Sequence, residues 1–278
     1  MQSEYATNYM DLVRTTPVKQ RLRAALRDTA LFLMALKDPG PKGDGWLRFP
    51  YYHYVFDDEK KDFDRQLRYM KNFGEFISLD DAAVLLRDGT PFRGRYFCIT
   101  FDDGFKNFAT NAVPIMADHN CPSAVFLPTD YIGIKREQDG SAMTRFYVMA
   151  RPIEFLTWDD CRALSQAGVT IGSHTCGHAR LSELPADSVI EQLSKSKQTI
   201  ETRLGVPCRH FSSPYGKPGH DYRPDEIQDI TPRLGYDTFL TTVRGLNTHR
   251  TNPYDIRRDL LCACWGNFQL KHFFSGGA

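Results

Sequence analysis

The hydrophobic positions of the chain follow two different periods, and from about residue 49 the two periods alternate. Short continuous apolar runs are typical of strands buried on both faces of a parallel sheet. Between them, apolar residues recur every three or four positions, which is typical of helices packed on a core. The predicted strands are 49–56, 96–101, 123–127, 169–173, 209–212, 236–242 and 256–264. The alternation occurs about seven times and predicts an α/β fold, either a (β/α) barrel or a doubly wound sheet.

Capping signals support helices between these strands. Ser78 and Thr157 each precede a helical pattern and have an acid three residues later, as in a capping box. Gly89, Gly168 and Gly205 follow the last apolar position of three predicted helices and are expected to end them. The strands are therefore joined by helical crossovers, which favour parallel pairing.

The ends of the predicted strands favour the barrel. The chain has no glycine fingerprint of the dinucleotide or phosphate-loop kind, and several strands end in acids and histidines instead. This arrangement is typical of a barrel whose site lies at the carboxyl ends of its strands. We expect residues 1–45 to form an N-terminal extension with one or two helices, and residues 46–278 to form one α/β domain. Residues 129–155 have no sustained period and are expected to pass over one face and shape a groove.

Composition excludes some partners. The 35 basic and 34 acidic residues give a net charge of +1, so no global field favours nucleic acid or an anionic membrane. The N-terminus lacks the features of a signal peptide, and no run of 18 apolar residues predicts an integral membrane segment. The segment 24–36 comes nearest, but Arg27 and Asp28 interrupt it, so we expect an amphipathic helix packed on the domain.

The cysteines indicate a reducing compartment. Their number, seven, is odd, and no C-x-x-C spacing is repeated. Cys262 and Cys264 fall two apart in a predicted strand, so we interpret them as small buried residues on one face. The expected location is therefore the cytoplasm.

Two adjacent carboxylates follow the apolar run that ends at Phe101. Burying unpaired carboxylates is costly, so Asp102 and Asp103 at a strand end imply a metal, a cationic partner or a raised pKa. A simple Asp-Asp-Gly turn that closes the strand is the alternative interpretation.

A pair of histidines follows another predicted strand. His174 and His178 are four residues apart, and with Asp103 they would supply two nitrogens and one oxygen, the open three-ligand set of a catalytic zinc-type site. Asp102 would then be free to accept a proton from water. Cys176 is an alternative ligand, but we prefer it as a bystander because a thiolate would weaken the Lewis acidity of the metal.

Three motifs together resemble a known family. Residues 100–104, 173–178 and 211–216 are similar, in order and spacing, to the motifs of the polysaccharide deacetylases, the NodB-homology carbohydrate esterases. The resemblance covers roughly residues 47–265 and implies a distorted (β/α)7 barrel. It also implies a divalent metal, most often zinc, held by Asp103, His174 and His178, with Asp102 as general base. Cobalt, nickel and iron are also admissible with this ligand set.

The third motif is implied to form the groove wall. By resemblance, Pro214, Tyr215 and Gly216 would bind substrate, and the backbone N–H of Tyr215 would donate to the tetrahedral oxyanion. Oxyanion-hole donors of this kind contribute about 3 kcal/mol.

Two departures from the family pattern concern the base and the acid. Many members carry an arginine in the third motif, where this chain has serines; residues 252–258 instead resemble an exopolysaccharide-type subgroup with an arginine on a late strand. We assign that role to Arg258, with Arg257 as the alternative, because strand alternation turns only one of them inward; a surface basic pair is the structural alternative. The general acid stays open among His53, His249, His272 and the water on the metal.

The expected activity is hydrolysis of the carbon–nitrogen bond of an N-acetyl group on a sugar. The substrate would be an acetylated polysaccharide, oligosaccharide or lipid-linked saccharide, in exopolysaccharide or related glycan assembly. Two alternatives stay open: a hydrolase of the same fold that acts on a non-sugar amide, and a carbohydrate-binding protein with a vestigial site. The sequence leaves the sugar, the chain length and the oligomeric state undetermined.

Overall fold

The computed structural model describes residues 5–13, 18–38, 40–41, 43–134 and 152–275. Its helices are α1 Tyr9–Val13, α2 Val18–Lys37, α3 Lys60–Lys71, α4 Leu79–Asp88, α5 Val113–Asp118, α6 Trp158–Gln166, α7 Ala186–Leu204, α8 Pro224–Arg233 and α9 Asn267–Ser275. Its strands are β1 Trp46–Arg48, β2 Pro50–Tyr52, β3 Glu75–Phe76, β4 Arg95–Phe97, β5 Ile99–Phe101, β6 Ser123–Leu127, β7 Thr170–Ser173, β8 His210–Ser212, β9 Thr238–Leu240 and β10 Asp259–Leu260. Most of the predicted excursion at 129–155, residues 135–151, lies outside the described residues.

Seven strands form one parallel sheet in the order β10-β2-β5-β6-β7-β8-β9. A parallel bridge between Leu240 and Ile256 joins the β9 edge to the segment that leads into β10. In this bridge the Ile256 N–H donates to Phe239 O at 3.1 Å, and the Thr241 N–H donates to Ile256 O at 2.8 Å. The segment from Ile256 to Leu260 thus contacts both edges of the sheet and curls it into a barrel. The predicted (β/α)7 barrel is confirmed.

The barrel strands are apolar because both of their faces are covered. Phe101, Val125, Phe211 and Phe239 are fully buried between the sheet and the helices. A second, smaller parallel sheet, in the order β1-β4-β3, precedes β2 and β5 along the chain. The predicted strands 49–56 and 96–101 are each divided accordingly, since the chain passes from the small sheet into the barrel at Phe49 and at Cys98.

The capping predictions are confirmed. The Ser78 hydroxyl accepts a hydrogen bond from the Asp81 N–H, and Thr157 and Asp160 form a reciprocal capping box. The helices α4 and α7 end at Gly89 and Gly205, both in the left-handed conformation. These local signals fix where the crossover helices begin and end.

The last strand is shorter than the sequence predicts. The apolar run at 256–264 gives only the two-residue strand β10, and the interpretation of Cys262 and Cys264 as buried strand residues is wrong: both follow the strand and are partly exposed. The reason lies on α3. The Gln66 side-chain amide lies within 2.9 Å of the carbonyl oxygens of Cys262, Ala263 and Trp265, so these carbonyls bond to a side chain rather than to a neighbouring strand.

The N-terminal extension is helical, as predicted, and contacts the barrel in two places. Helix α2 packs on α9, with Phe32 and Phe268 edge to face at 5.6 Å. Ahead of α2, the Tyr9 N–H donates to Asp58 Oδ1 at 2.8 Å, and the Asp57 N–H donates to Thr7 O at 2.9 Å. The first residues of the extension therefore lie on the loop that follows β2, at the carboxyl end of the barrel.

Candidate active site

The candidate residues meet at the carboxyl ends of four strands of the barrel sheet. His53 follows β2, Asp102 and Asp103 follow β5, His174 follows β7 and Tyr215 follows β8. Because parallel strands end on the same side of a barrel, residues that are far apart in sequence meet there. The structure brings together the three motifs that the sequence analysis singled out.

Asp103, His174 and His178 form a cluster whose candidate ligand atoms all lie within 4.8 Å of one another. Oδ1 of Asp103 is 3.4 Å from Nε2 of His174 and 3.4 Å from Nε2 of His178. Nδ1 of His174 lies 2.7 Å from Ser212 O, so the Nδ1–H donates there and the Nε2 lone pair faces the cluster. Cys176 is not part of this cluster.

The protonation states suit a divalent cation. Burial lowers the pKa of His178 to about 4, despite the opposing charge of Asp103, so its imidazole is neutral near pH 7. Burial raises the pKa of Asp103, but the neighbouring histidines outweigh this effect and leave the pKa lowered. One carboxylate and two imidazoles are a ligand set that zinc and its neighbours bind, so the residues present fit the metal.

Backbone strain is concentrated at the site. Asp103, Thr175, His178 and Tyr215 have positive φ angles of 74°, 65°, 54° and 60°. In the described part of the chain, Asn120 is the one other residue besides glycine with a positive φ. Each such residue costs about 1–3 kcal/mol and persists where the surroundings enforce it, commonly at functional sites. The four strained residues therefore mark this end of the barrel as constrained for function.

Two tight turns hold the ligands. Gly104 has φ +65°, and a Cβ there would lie 2.9 Å from side-chain atoms of both Leu127 and Ile132. The Asp-Asp-Gly sequence is thus also a turn, pressed against the wall of the barrel. In the histidine motif, Oε1 of Gln192 accepts hydrogen bonds from the N–H groups of Cys176 and Gly177. Gln192 lies on α7, and no pattern in the sequence predicted that it contacts the histidine motif.

Asp102 is paired with Arg258 in a buried bidentate ion pair. The guanidinium nitrogens lie 2.9 and 2.8 Å from the two carboxylate oxygens. The same guanidinium donates to Thr241 O and Ser212 Oγ and lies 4.1 Å from the ring centre of Tyr51. Burial raises the pKa of Asp102, but the Arg258 charge outweighs this effect and the pKa is lowered. Asp102 is therefore ionised and fixed in orientation.

The structure distinguishes the two candidate arginines. Arg258 is fully buried inside the barrel, whereas Arg257 is partly exposed and its side chain lies against Gly245. Of the pair that the sequence left open, Arg258 is the one beside Asp102. Ser212, which stands near the position of the missing motif arginine, contacts Arg258 directly.

Of the three candidate histidines for the general acid, one lies at the site. Nε2 of His53 is 4.0 Å from Oδ2 of Asp103, and the side chain is 29% exposed. His272 lies on α9, where its Nδ1 is 2.7 Å from Asp38 Oδ2. His249 lies beside Gly89, at the end of the barrel where the strands begin. Of the three histidines, His53 is therefore the one whose position suits the general acid.

Tyr215 forms an open wall next to the cluster. Its ring is 49% exposed and lies 5.0 Å from the His178 ring, whereas Pro214 and Gly216 on either side are buried. The Arg180 guanidinium stacks on the ring at 4.5 Å and is anchored by Asp221. The sequence analysis missed Arg180, because its only signal was its position two residues after His178.

Comparison with known proteins gives consistent results. The family model for polysaccharide deacetylase matches residues 89–239, just over half of the chain. The chain is 22% identical over 200 residues to the putative polysaccharide deacetylase YxkH of Bacillus subtilis strain 168. That match covers 72% of this chain but only 63% of the length of YxkH.

Solved structures share the fold. IcaB from Ammonifex degensii superposes with a TM-score of 0.68 at 21% identity, covering 84% of this chain and 98% of IcaB. The Streptococcus pyogenes deacetylase PplD in complex with acetate gives a TM-score of 0.65 at 20% identity, covering 82% of this chain and 97% of PplD.

Proposed function

The chain belongs to the polysaccharide deacetylase family, and we propose that it removes N-acetyl groups from an amino-sugar-containing saccharide in a metal-dependent hydrolysis. The observation that carries the proposal is the cluster of Asp103, His174 and His178 beside the Asp102–Arg258 pair. The substrate would be a polysaccharide, an oligosaccharide or a lipid-linked saccharide.

Asp103, His174 and His178 would hold the metal, for which zinc is the first candidate and cobalt, nickel and iron are the others. When bound, such a cation polarises the acetyl carbonyl and lowers the pKa of water. The neutral imidazole of His178 and the ionised carboxylate of Asp103 leave these two residues ready to act as ligands near pH 7.

Asp102 is proposed as the general base. Its carboxylate is ionised, and Arg258 occupies both oxygens from one side, which fixes the plane in which a proton can be accepted. The pair resembles the arrangement implied for the exopolysaccharide-type subgroup. Arg258 would act by orienting Asp102 and holding its pKa low.

The opposite wall would stabilise the oxyanion and protonate the leaving group. Within the described residues, the Tyr215 N–H makes no hydrogen bond, so it is free to donate to a substrate oxygen. Donors of this kind are worth about 3 kcal/mol in a transition state. We assign proton donation to the departing amine to Nε2 of His53, because of its place beside Asp103.

A solved relative supports the proposed product, and the cysteines support the proposed location. PplD is a deacetylase that was solved with acetate, the product that our reaction would release. All seven cysteines lie in the described residues and none is in a disulfide, which supports a cytoplasmic step in exopolysaccharide assembly.

Metal analysis combined with acetate release tests the proposal. We expect the purified protein to carry bound zinc or a related divalent ion, and to release acetate from N-acetylglucosamine oligomers or lipid-linked saccharides. The double variant His174→Ala/His178→Ala should lose the metal and at least about 100-fold of the activity. His119→Ala, which removes a histidine paired with Asp64 on the outside of the barrel, is the control and should keep both.

Three outcomes would contradict the proposal in different ways. An absence of bound metal in the wild type, with no effect of the double variant, would exclude a metalloenzyme. A metal-loaded protein that hydrolyses only non-sugar amides would favour the second function. Saccharide binding without any hydrolysis would favour the vestigial site.

The His53 assignment has its own test. His53→Gln should lower kcat by roughly 10²- to 10⁴-fold, the usual range for a general acid, while the bound metal stays. His249→Gln and His272→Gln should keep wild-type kcat. A loss of activity in either of these two variants, with His53→Gln unaffected, would assign the general acid to the histidine replaced in that variant instead of His53.

A further inference from the structure

Helix α2 exposes a stripe of leucines. Leu22, Leu26, Leu33 and Leu36 are 61, 64, 58 and 65% exposed. Their spacing of four, seven and three residues places them on one face of the helix. Outside α2, no large apolar side chain in the described residues is as exposed; the nearest is Val84 on α4, at 54%. A contiguous apolar stripe of this kind marks an interaction surface.

The stripe faces away from the protein. The other side of α2 packs on the domain: Ala35 is 3% exposed, and the Phe32 ring contacts Phe268 of α9. Leu36 lines a cavity with Tyr69 and Phe268, but Leu22, Leu26 and Leu33 are not needed to hold the helix in place and remain available for a partner.

The charge of α2 is strongly positive. Its sequence contains five basic residues and one acid, a net charge of +4, whereas the whole chain has a net charge of +1. Arg23 and Arg27 are exposed and follow Leu22 and Leu26 by one position, so they flank the stripe. Arg27 also pairs with the helix's one acid, Asp28.

The helix begins at the active-site end of the barrel. Its last turns run beside α9, with Phe32 against Phe268 and the following Asp38 bonded to His272. Since α9 starts just after β10, the residues of α2 before Phe32 extend past the start of α9, towards the carboxyl ends of the strands. Helix α1, which precedes α2, is bonded to Asp58 at that same end.

We propose that α2 binds in the plane of an anionic lipid surface, with the leucine stripe at the acyl boundary and the flanking arginines at the headgroup phosphates. Charge decides between a membrane and a second copy of the chain, because two copies would bring two helices of net charge +4 together. A basic helix with an apolar stripe is the usual form of an interfacial helix. Within the described ranges, no helix is long and apolar enough to cross a bilayer. The proposal does not depend on the proposed reaction.

Vesicle binding tests this inference with the full chain. The wild type should cosediment with vesicles of equimolar phosphatidylcholine and phosphatidylglycerol and bind phosphatidylcholine vesicles weakly; added salt should weaken binding. Leu22→Ser/Leu26→Ser/Leu33→Ser should bind the anionic vesicles at least about tenfold more weakly. Arg23→Glu/Arg27→Glu should remove the preference for the anionic lipid. Val84→Ser, which removes an exposed apolar side chain from α4, is the matched control and should bind as the wild type does.

Circular dichroism and analytical ultracentrifugation complete the test. The leucine variant should keep the wild-type melting temperature, because the replaced side chains are largely exposed. Failure of the wild type to cosediment with the anionic vesicles would overturn the proposal. So would a wild-type dimer that the leucine substitutions convert to a monomer without any change in vesicle binding, since a second copy would then cover the stripe.

Discussion

Two buried arginine–aspartate pairs lie side by side in this barrel, and they differ in what surrounds them. Arg258 and Asp259 are consecutive, so their side chains point to opposite faces of the segment from Ile256 to Leu260, the closing segment of the barrel. Arg258 faces the barrel interior and pairs with Asp102, whereas Asp259 faces outward and pairs with Arg48 at 2.9 Å. All four side chains are at most 3% exposed. Burial and pairing are thus the same in both regions.

The neighbours of each pair set its role. Asp102 lies next to the histidine cluster, and its pKa is lowered because Arg258 outweighs the effect of burial. For Asp259, burial outweighs the charges of Arg48 and Arg244, and the pKa is raised. Arg48 also donates to Phe274 O, so this second pair ties β1 and β10 to α9. A buried ion pair is therefore no sign of catalysis by itself; the adjacent ligand cluster makes the first pair a candidate for chemistry.

The largest difference should appear when each aspartate loses its charge. Asp102→Asn should lower kcat/KM for acetate release by roughly 10²- to 10⁴-fold, because the amide cannot accept a proton. Bound metal should stay at the wild-type level, since Asp102 is not among the clustered ligands. Asp259→Asn is the matched control and should keep wild-type kcat/KM per folded molecule. Full activity in Asp102→Asn would remove it as the base.

The structural pair should respond in stability. Arg48→Met leaves Asp259 buried, with Arg244 at 3.4 Å as a more distant arginine partner, and should lower the free energy of unfolding by about 3 kcal/mol. Denaturant unfolding measures the change. Arg233→Met, which breaks an exposed pair with Asp229, is the comparison and should cost less than about 1 kcal/mol. Equal losses in the two variants would show that burial does not distinguish these pairs.

A third buried carboxylate, which has no arginine partner among the described residues, extends the comparison. Burial raises the pKa of Glu59 to about 7, although the N–H groups of Phe56 and Cys264 oppose this effect. Between its usual value of 4.5 and about 7, the folded state binds more protons than the unfolded state. The free energy of unfolding of the wild type should therefore fall, relative to Glu59→Gln, as pH rises through that window.

The expected fall is about 3 kcal/mol, with no further change above the window. Urea unfolding of both proteins at several pH values measures it. A difference between them that does not depend on pH would mean that Glu59 is already ionised at the low end of the window.

The sequence predicted those parts of the fold that depend on local signals. The caps at Ser78 and Thr157, the alternation of strands and helices, and the three motifs at strand ends are all properties of short stretches. The end of the last strand depended instead on Gln66, almost 200 residues earlier. Its side-chain amide lies within hydrogen-bond distance of the carbonyl oxygens of Cys262 and Ala263, which a longer strand would have bonded to a neighbouring strand.

The site shows the same division. Motif residues could be named from the sequence, but the choice between Arg257 and Arg258 needed the register of the closing segment. The stacking of Arg180 on Tyr215 and the positive φ angles of four site residues arise only from tertiary packing. No periodicity or spacing encodes them.

Closure of the barrel by the segment from Ile256 to Leu260 has a consequence for the newly made chain. Asp102 and its arginine are 156 residues apart, and that arginine lies directly before β10, the last strand of the barrel sheet along the chain. A growing polypeptide that already contains the aspartate and both histidines still lacks the group that orients the proposed base. The proposed activity would therefore begin only when the segment from Ile256 to Leu260 has joined the two edges of the sheet. Completion of folding would itself be the step that activates the protein.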